Sequence, residues 1–166
     1  MIFSHPLEKF KSIIKHPIIL YVDVYPYIIN DQGEIYFLLL KRKDNVPLPC
    51  DWQAVSGKIK ENERIKDAFV SQVQSKTGQI PHYVYKLDFI NTFYDEHYES
   101  ILMVPCAAAK LNSKHIEINR RLHSEYQWAT YEEACKLLAS NNQKKCLSLI
   151  KDLAENDSRH QQTSIS

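Results

Sequence analysis

Residues 52–78 read Trp52-Gln-Ala-Val-Ser-Gly57-Lys-Ile-Lys-Glu-Asn-Glu63-Arg-Ile-Lys-Asp-Ala-Phe-Val-Ser71-Gln72-Val73-Gln-Ser75-Lys76-Thr-Gly78. The apolar run from Trp52 to Val55 predicts a short strand, and Gly57 a tight turn at its end. A polar loop follows. About four turns of helix then run to Gly78, a residue type that commonly ends helices in the left-handed conformation. On a helix, positions i, i+3 and i+4 share a face. Side chains 72, 75 and 76 are therefore expected to aim at one point, which receives an amide, a hydroxyl and an ammonium.

Gly57, Glu63, Val73 and Gly78, in that strand, loop and helix order, resemble the signature box of the Nudix hydrolases. In that box a glycine is followed six residues later by glutamate, then by an Arg-Glu-x-x-Glu-Glu helix and a closing glycine. The resemblance implies cleavage of a diphosphate linkage with Mg²⁺ or Mn²⁺ held by the helix glutamates. Where the family carries the arginine and three glutamates, this chain carries Ser71, Gln72, Ser75 and Lys76. Mg²⁺ takes hard oxygen ligands, normally carboxylates completed by water and substrate phosphates. Gln72 and Ser75 offer at best weak neutral oxygens, and Lys76 repels a divalent cation. Lysine binds phosphate as a point charge, so Lys76 is expected to stand where the metal's charge would be and meet an anion directly. The plainer reading is a set of solvated polar positions on a helix that only supports the fold.

The chain has 166 residues and a net charge of +1, a length suited to one domain with a proper core. A balanced charge gives no global field toward nucleic acid or an anionic membrane, and neither is expected as a partner. Cys50, Cys106, Cys135 and Cys146 form no C-x-x-C pair and no zinc spacing. They read as reduced, mostly buried thiols of a cytoplasmic protein. Residues 1–16 form an N-terminal extension without a secretory signal. Within it Leu7, Phe10, Ile13 and Ile14 recur at helical spacing. That stretch is expected to pack on the domain's own surface, with a homodimer contact as the sharper alternative.

The domain is expected to span residues 17–154. Residues 17–29 have strand composition, with Pro26 arguing for an edge or a bulge. Asn30-Asp31-Gln32-Gly33 is a turn, and residues 34–41 return as a hairpin. The strand ends in Lys41-Arg42-Lys43, either a solvated end or a phosphate contact. Residues 44–51 are expected to form a loop, 82–94 and 100–111 a strand pair, and 115–118 a short extended piece. Residues 122–129 make a last strand, followed by a helix from Tyr131. Thr130 and Glu133 occupy the capping-box positions of that helix. A second helix is expected from about Gln143 to Leu153, with Cys146, Leu149, Ile150 and Leu153 on one face. Residues 155–166 read as a polar, frayed tail.

The Ser124-Glu125-Tyr126-x-Trp128 strand, the Tyr-Glu-Glu-Ala helix and the final Asn-Gln-Lys-Lys helix extend the resemblance to residues 17–153. They are similar to the bacterial nucleoside triphosphate pyrophosphohydrolase branch. The fold this implies is the α/β/α Nudix sandwich, a mixed β-sheet between helices. The residual catalytic candidates are Glu63, at the first box glutamate, and Glu125. Glu99 joins them as a third metal candidate if a relocated shell exists. Gly57, Lys76, Arg42, Trp52 and Tyr94 are ligand-binding candidates, the two aromatic residues by stacking on a base. Tyr98 is weighed for the same role, Asp67 is set aside as pointing off the site face, and His97, His115 and His123 are read as surface or loop residues.

Three functions compete. The leading one is a catalytically impaired Nudix-fold protein that binds a nucleotide or another phosphorylated ligand with no certain cofactor. The second is an active pyrophosphohydrolase using Mg²⁺ or Mn²⁺ on relocated carboxylates. The third is an interaction or scaffold protein.

Overall fold

In a computed structural model of the chain, residues 19, 21–45, 51–96 and 99–163 are described, with side chains to residue 157. The amphipathic stretch at residues 1–16, Cys50, His97 and Tyr98 lie outside the described residues, as does most of the 44–51 loop. Among the described residues seven strands form one mixed sheet. They are β1 (Tyr21–Ile29), β2 (Ile35–Arg42), β3 (Trp52–Gln53), β4 (Val55–Lys58), β5 (Tyr83–Asp95), β6 (Ser100–Lys110) and β7 (His123–Ala129). The main path is β3-β2-β1-β6-β5, with β4 pairing β1 and β7 pairing β2. Three helices accompany it among the described residues: α1 (Ile65–Thr77), α2 (Tyr131–Leu137) and α3 (Asn141–Thr163).

Strand β2 shows why both faces are covered. Phe37, Leu38, Leu39 and Leu40 are buried without a break, the pattern of a strand packed on two sides. Leu38 and Leu40 join Val22, Val24, Val55, Ala68, Phe69 and Val73 in a core under α1. Phe37 and Leu39 join Tyr25, Ala134, Leu138, Leu147 and Ile150 in a second core under α2 and α3. Each buried side chain of this size contributes about 1.5–3 kcal/mol, so the sheet is clamped from both faces. This is the expected α/β/α sandwich.

The β1–β2 hairpin and the β5–β6 pair form as expected. Pro26 does not mark an edge: β1 is an interior strand, parallel to β6 on one flank. On the other flank β1 pairs β4 through Tyr21–Val24 and β2 through Tyr27–Ile29. Pro26 falls in the gap between those two partners, where a missing N–H breaks no ladder. Residues 115–118 form no strand. Thr130 caps α2 as expected: its hydroxyl accepts from the Glu133 N–H at 3.3 Å, and the Glu133 carboxylate accepts from the Thr130 N–H at 2.9 Å. Helix α3 runs past the expected end at Leu153 to Thr163, since no glycine or proline interrupts it.

Candidate functional site

Helix α1 begins after a loop that Glu63 fastens. The Glu63 carboxylate accepts from the Lys60 N–H at 2.9 Å and from the Ser71 hydroxyl at 2.7 Å. Those two bonds hold its carboxyl below the ordinary value. Ser71, at the arginine position of the box, thus ties the loop to the helix. Asn62 beside it adopts φ 62°, which asparagine tolerates better than most residues. At the other end Gly78 takes φ 73° and its N–H donates to the Gln74 carbonyl at 2.9 Å, closing the helix as expected.

Gly57 is not in a turn. It lies within strand β4, opposite Val22 of β1. Its lack of a side chain serves a different need: a Cβ there would stand 1.8 Å from the Gln72 Oε1. Gln72 fills that space from α1, and its amide nitrogen donates to the Lys58 carbonyl at 3.0 Å. The Lys76 ammonium, one turn further along the helix, donates to the Gln72 Oε1. Both side chains are buried, Lys76 at 8% exposure, whereas Ser75 stays exposed. Two of the three expected positions therefore converge, and the hydroxyl does not.

Lys76 has basic neighbours. Burial, and then the Arg42 guanidinium, hold its ammonium below the usual lysine range. His123, at the start of β7 and opposite Arg42 of β2, is 1% exposed rather than on the surface. Burial, then Arg42 and Lys76, push its pKa down to about 4, leaving the ring neutral at pH 7. The Gln53 Nε2 lies 3.4 Å from the His123 Nε2. The His123 Nδ1 is buried and has no hydrogen-bond partner among the described residues. Arg42, Gln53 and Gly57 are half-buried.

The other sequence candidates lie apart. Glu125 is exposed and pairs with Lys41 across β7 and β2 at 3.3 Å, and Lys41 lies 5.8 Å from the Trp52 ring. Glu99, with φ 48°, stands at the turn between β5 and β6 and accepts from the Tyr94 hydroxyl at 2.7 Å. Asp67 pairs with Arg64 at 2.7 Å. His115 is exposed. Among the described residues no three His, Cys, Asp or Glu side chains gather closely enough to hold a metal ion, and Glu63, Glu99 and Glu125 each keep the separate partners given above. The box face does not fit a divalent cation either. An ammonium about 4 Å from Mg²⁺ would repel it by roughly 8 kcal/mol at an effective dielectric of about 20.

A cavity of about 360 Å³ opens between the first turns of α1 (Ile65, Lys66, Phe69), the bulged part of β5 at Leu87–Phe89, and Cys106 of β6. Phe69 and Lys76 share the buried face of α1, roughly 10 Å apart along its axis. His123 and Gln53 are the site residues that sequence reasoning missed. Nothing local marks His123, whose burial comes from the pairing of β7 with β2.

The NUDIX domain model matches residues 20–149, so the chain belongs to that family. Solved structures of the same fold include a proposed NUDIX hydrolase from Listeria monocytogenes. It is 24% identical with a TM-score of 0.73, covering 83% of this chain and 95% of that one. The NUDIX domain of Shewanella oneidensis NrtR, in complex with ADP ribose, is 18% identical with a TM-score of 0.68 and covers 90% and 98%. The Escherichia coli dihydroneopterin triphosphate pyrophosphohydrolase is 18% identical with a TM-score of 0.65 and covers 82% and 97%. No curated protein matches the chain by sequence. No helix among the described residues is long and apolar enough to cross a membrane.

Proposed function

We propose that this chain is a Nudix-fold binder of a nucleotide or similar phosphorylated ligand that does not carry out the family's metal-dependent hydrolysis. One observation carries the reading: the Lys76 ammonium and the Gln72 amide occupy the face where carboxylates would hold the metal, and they are bonded to each other. Hydrolysis of a diphosphate linkage draws on a metal to activate water and neutralise developing charge. At this face a fixed cation replaces the metal, so a phosphoryl group can be held, but no group is left to generate a nucleophile. Retained binding is supported by Arg42 beside Lys76 and by the cavity along the same helix, an apolar recess of the kind that small ligands use. The NrtR domain's complex with ADP ribose shows that a relative of this fold accommodates such a ligand.

The test is a panel of nucleoside di- and triphosphate derivatives, ADP ribose among them, with Mg²⁺ or Mn²⁺. Product release and equilibrium binding are followed on the same samples. Binding of at least one compound without turnover is the expected result. Metal-dependent turnover at a rate of about 1 s⁻¹ or more, the ordinary enzymatic range, would overturn the proposal.

A further inference from the structure

We propose that Arg42, Lys76 and His123 form an oxyanion pocket that takes a phosphoryl group free of Mg²⁺, so that Mg²⁺ opposes ligand binding instead of supporting it. The inference rests on the binding reading above and adds two things to it: a third ligand-facing residue and the ionic form of the ligand.

The residue is His123. The Gln53 amide nitrogen can only donate, so the His123 Nε2 facing it at 3.4 Å is the acceptor. The ring proton of the neutral imidazole then sits on Nδ1. That N–H is buried without a partner among the described residues, although buried donors are nearly always satisfied. The ring lies among cations, with Arg42 and Lys76 both acting on it and Arg42 acting on Lys76. A group that accepts hydrogen bonds and carries negative charge answers both features. The Arg42 guanidinium and the Lys76 ammonium match the negative charge of a phosphoryl group, and the His123 N–H supplies a neutral donor for a further oxygen.

The ionic form follows from Lys76. Its ammonium sits on the box face against Gln72, where a ligand-borne metal would approach. A magnesium complex of a diphosphate brings a divalent cation toward that ammonium and presents oxygens already engaged by the metal. The metal-free diphosphate brings neither penalty.

Calorimetric titration of the full chain with inorganic pyrophosphate, once in EDTA and once in excess Mg²⁺, tests the proposal. Binding is expected in EDTA and is expected to weaken about tenfold or more with Mg²⁺, a difference set by one strong electrostatic contact. His123→Phe, which keeps a ring but removes the donor, is expected to weaken binding in EDTA by about five- to tenfold. His123→Gln, which keeps an N–H donor, is expected to retain most of the affinity. Lys76→Met is expected to narrow the gap between the two buffers. Tighter binding with Mg²⁺ in the wild-type chain, or wild-type affinity in folded His123→Phe, would overturn the proposal while leaving binding without turnover in place. Failure of pyrophosphate to bind in either buffer while a compound of the panel above binds would also overturn the proposal, and failure of every panel compound to bind would remove the binding reading itself.

Discussion

His123 combines a ring that is 1% exposed with two cationic neighbours, and its burial has a consequence for stability. Its pKa is about 4 in the folded chain against 6.5 ordinarily. Between those values the unfolded chain binds more protons, so the contribution of His123 is present above pH 6.5 and is lost as pH falls toward 4. The loss amounts to about 3 kcal/mol. Asp23 works in the opposite direction. Burial, partly offset by a hydrogen bond from Ser56, raises its pKa from 3.8 to about 6. Its folded state binds the extra proton, so acidification from pH 6 to 3.8 relieves a cost. The two effects nearly cancel in the wild-type chain. Denaturant titrations of His123→Gln are expected to show stability relative to wild type rising by about 3 kcal/mol from pH 7 to pH 4. Parallel curves for the two proteins would mean that His123 is not held neutral by its surroundings.

At the scale of elements, strand β4 and helix α1 meet through Gly57 and Gln72. A Cβ at Gly57 would collide with the end of the Gln72 side chain. That side chain must then leave its bonds to Lys76 and to the Lys58 carbonyl. Gly57→Ala is therefore expected to cost about 1–3 kcal/mol, measured by chemical denaturation. In a Gln72→Ala background the same substitution is expected to cost clearly less, a coupling that a double-mutant cycle reads directly. Equal costs in both backgrounds would show that the glycine serves the backbone of β4 instead. The glycine spacing was legible in the sequence because it repeats a family pattern. The reason for it was not, since a strand glycine and a turn glycine look alike until the facing side chain is known. The α2 cap was fully legible because Thr130 and Glu133 act within one turn of helix. Pro26 misled because its tolerance depends on a change of partner along β1, which only the assembled sheet reveals.

For the molecule as a whole, the sheet between helices was legible through the family resemblance of residues 17–153, and the unbroken buried run in β2 supplies its physical reason. The box substitutions were equally visible, as were Lys76 and Arg42 as basic candidates. The rest of the site depends on long-range pairing: β7 brings His123 to Arg42, and the same pairing leaves Glu125 exposed on Lys41. Glu99 ends on a hairpin turn with Tyr94. In this NUDIX-family fold the box face of α1 thus presents Gln72 and Lys76, and fold alone does not set the activity. The most direct measurement is Mn²⁺ binding to the protein without nucleotide, followed by electron paramagnetic resonance. The wild-type chain is compared with the combined Gln72→Glu, Ser75→Glu and Lys76→Glu variant. No stoichiometric Mn²⁺ site is expected in the wild-type chain, and one is expected in the variant, whose carboxylates restore hard oxygen ligands. A stoichiometric Mn²⁺ site in the wild-type chain, lost on substitution of Glu63 or Glu125, would contradict the account.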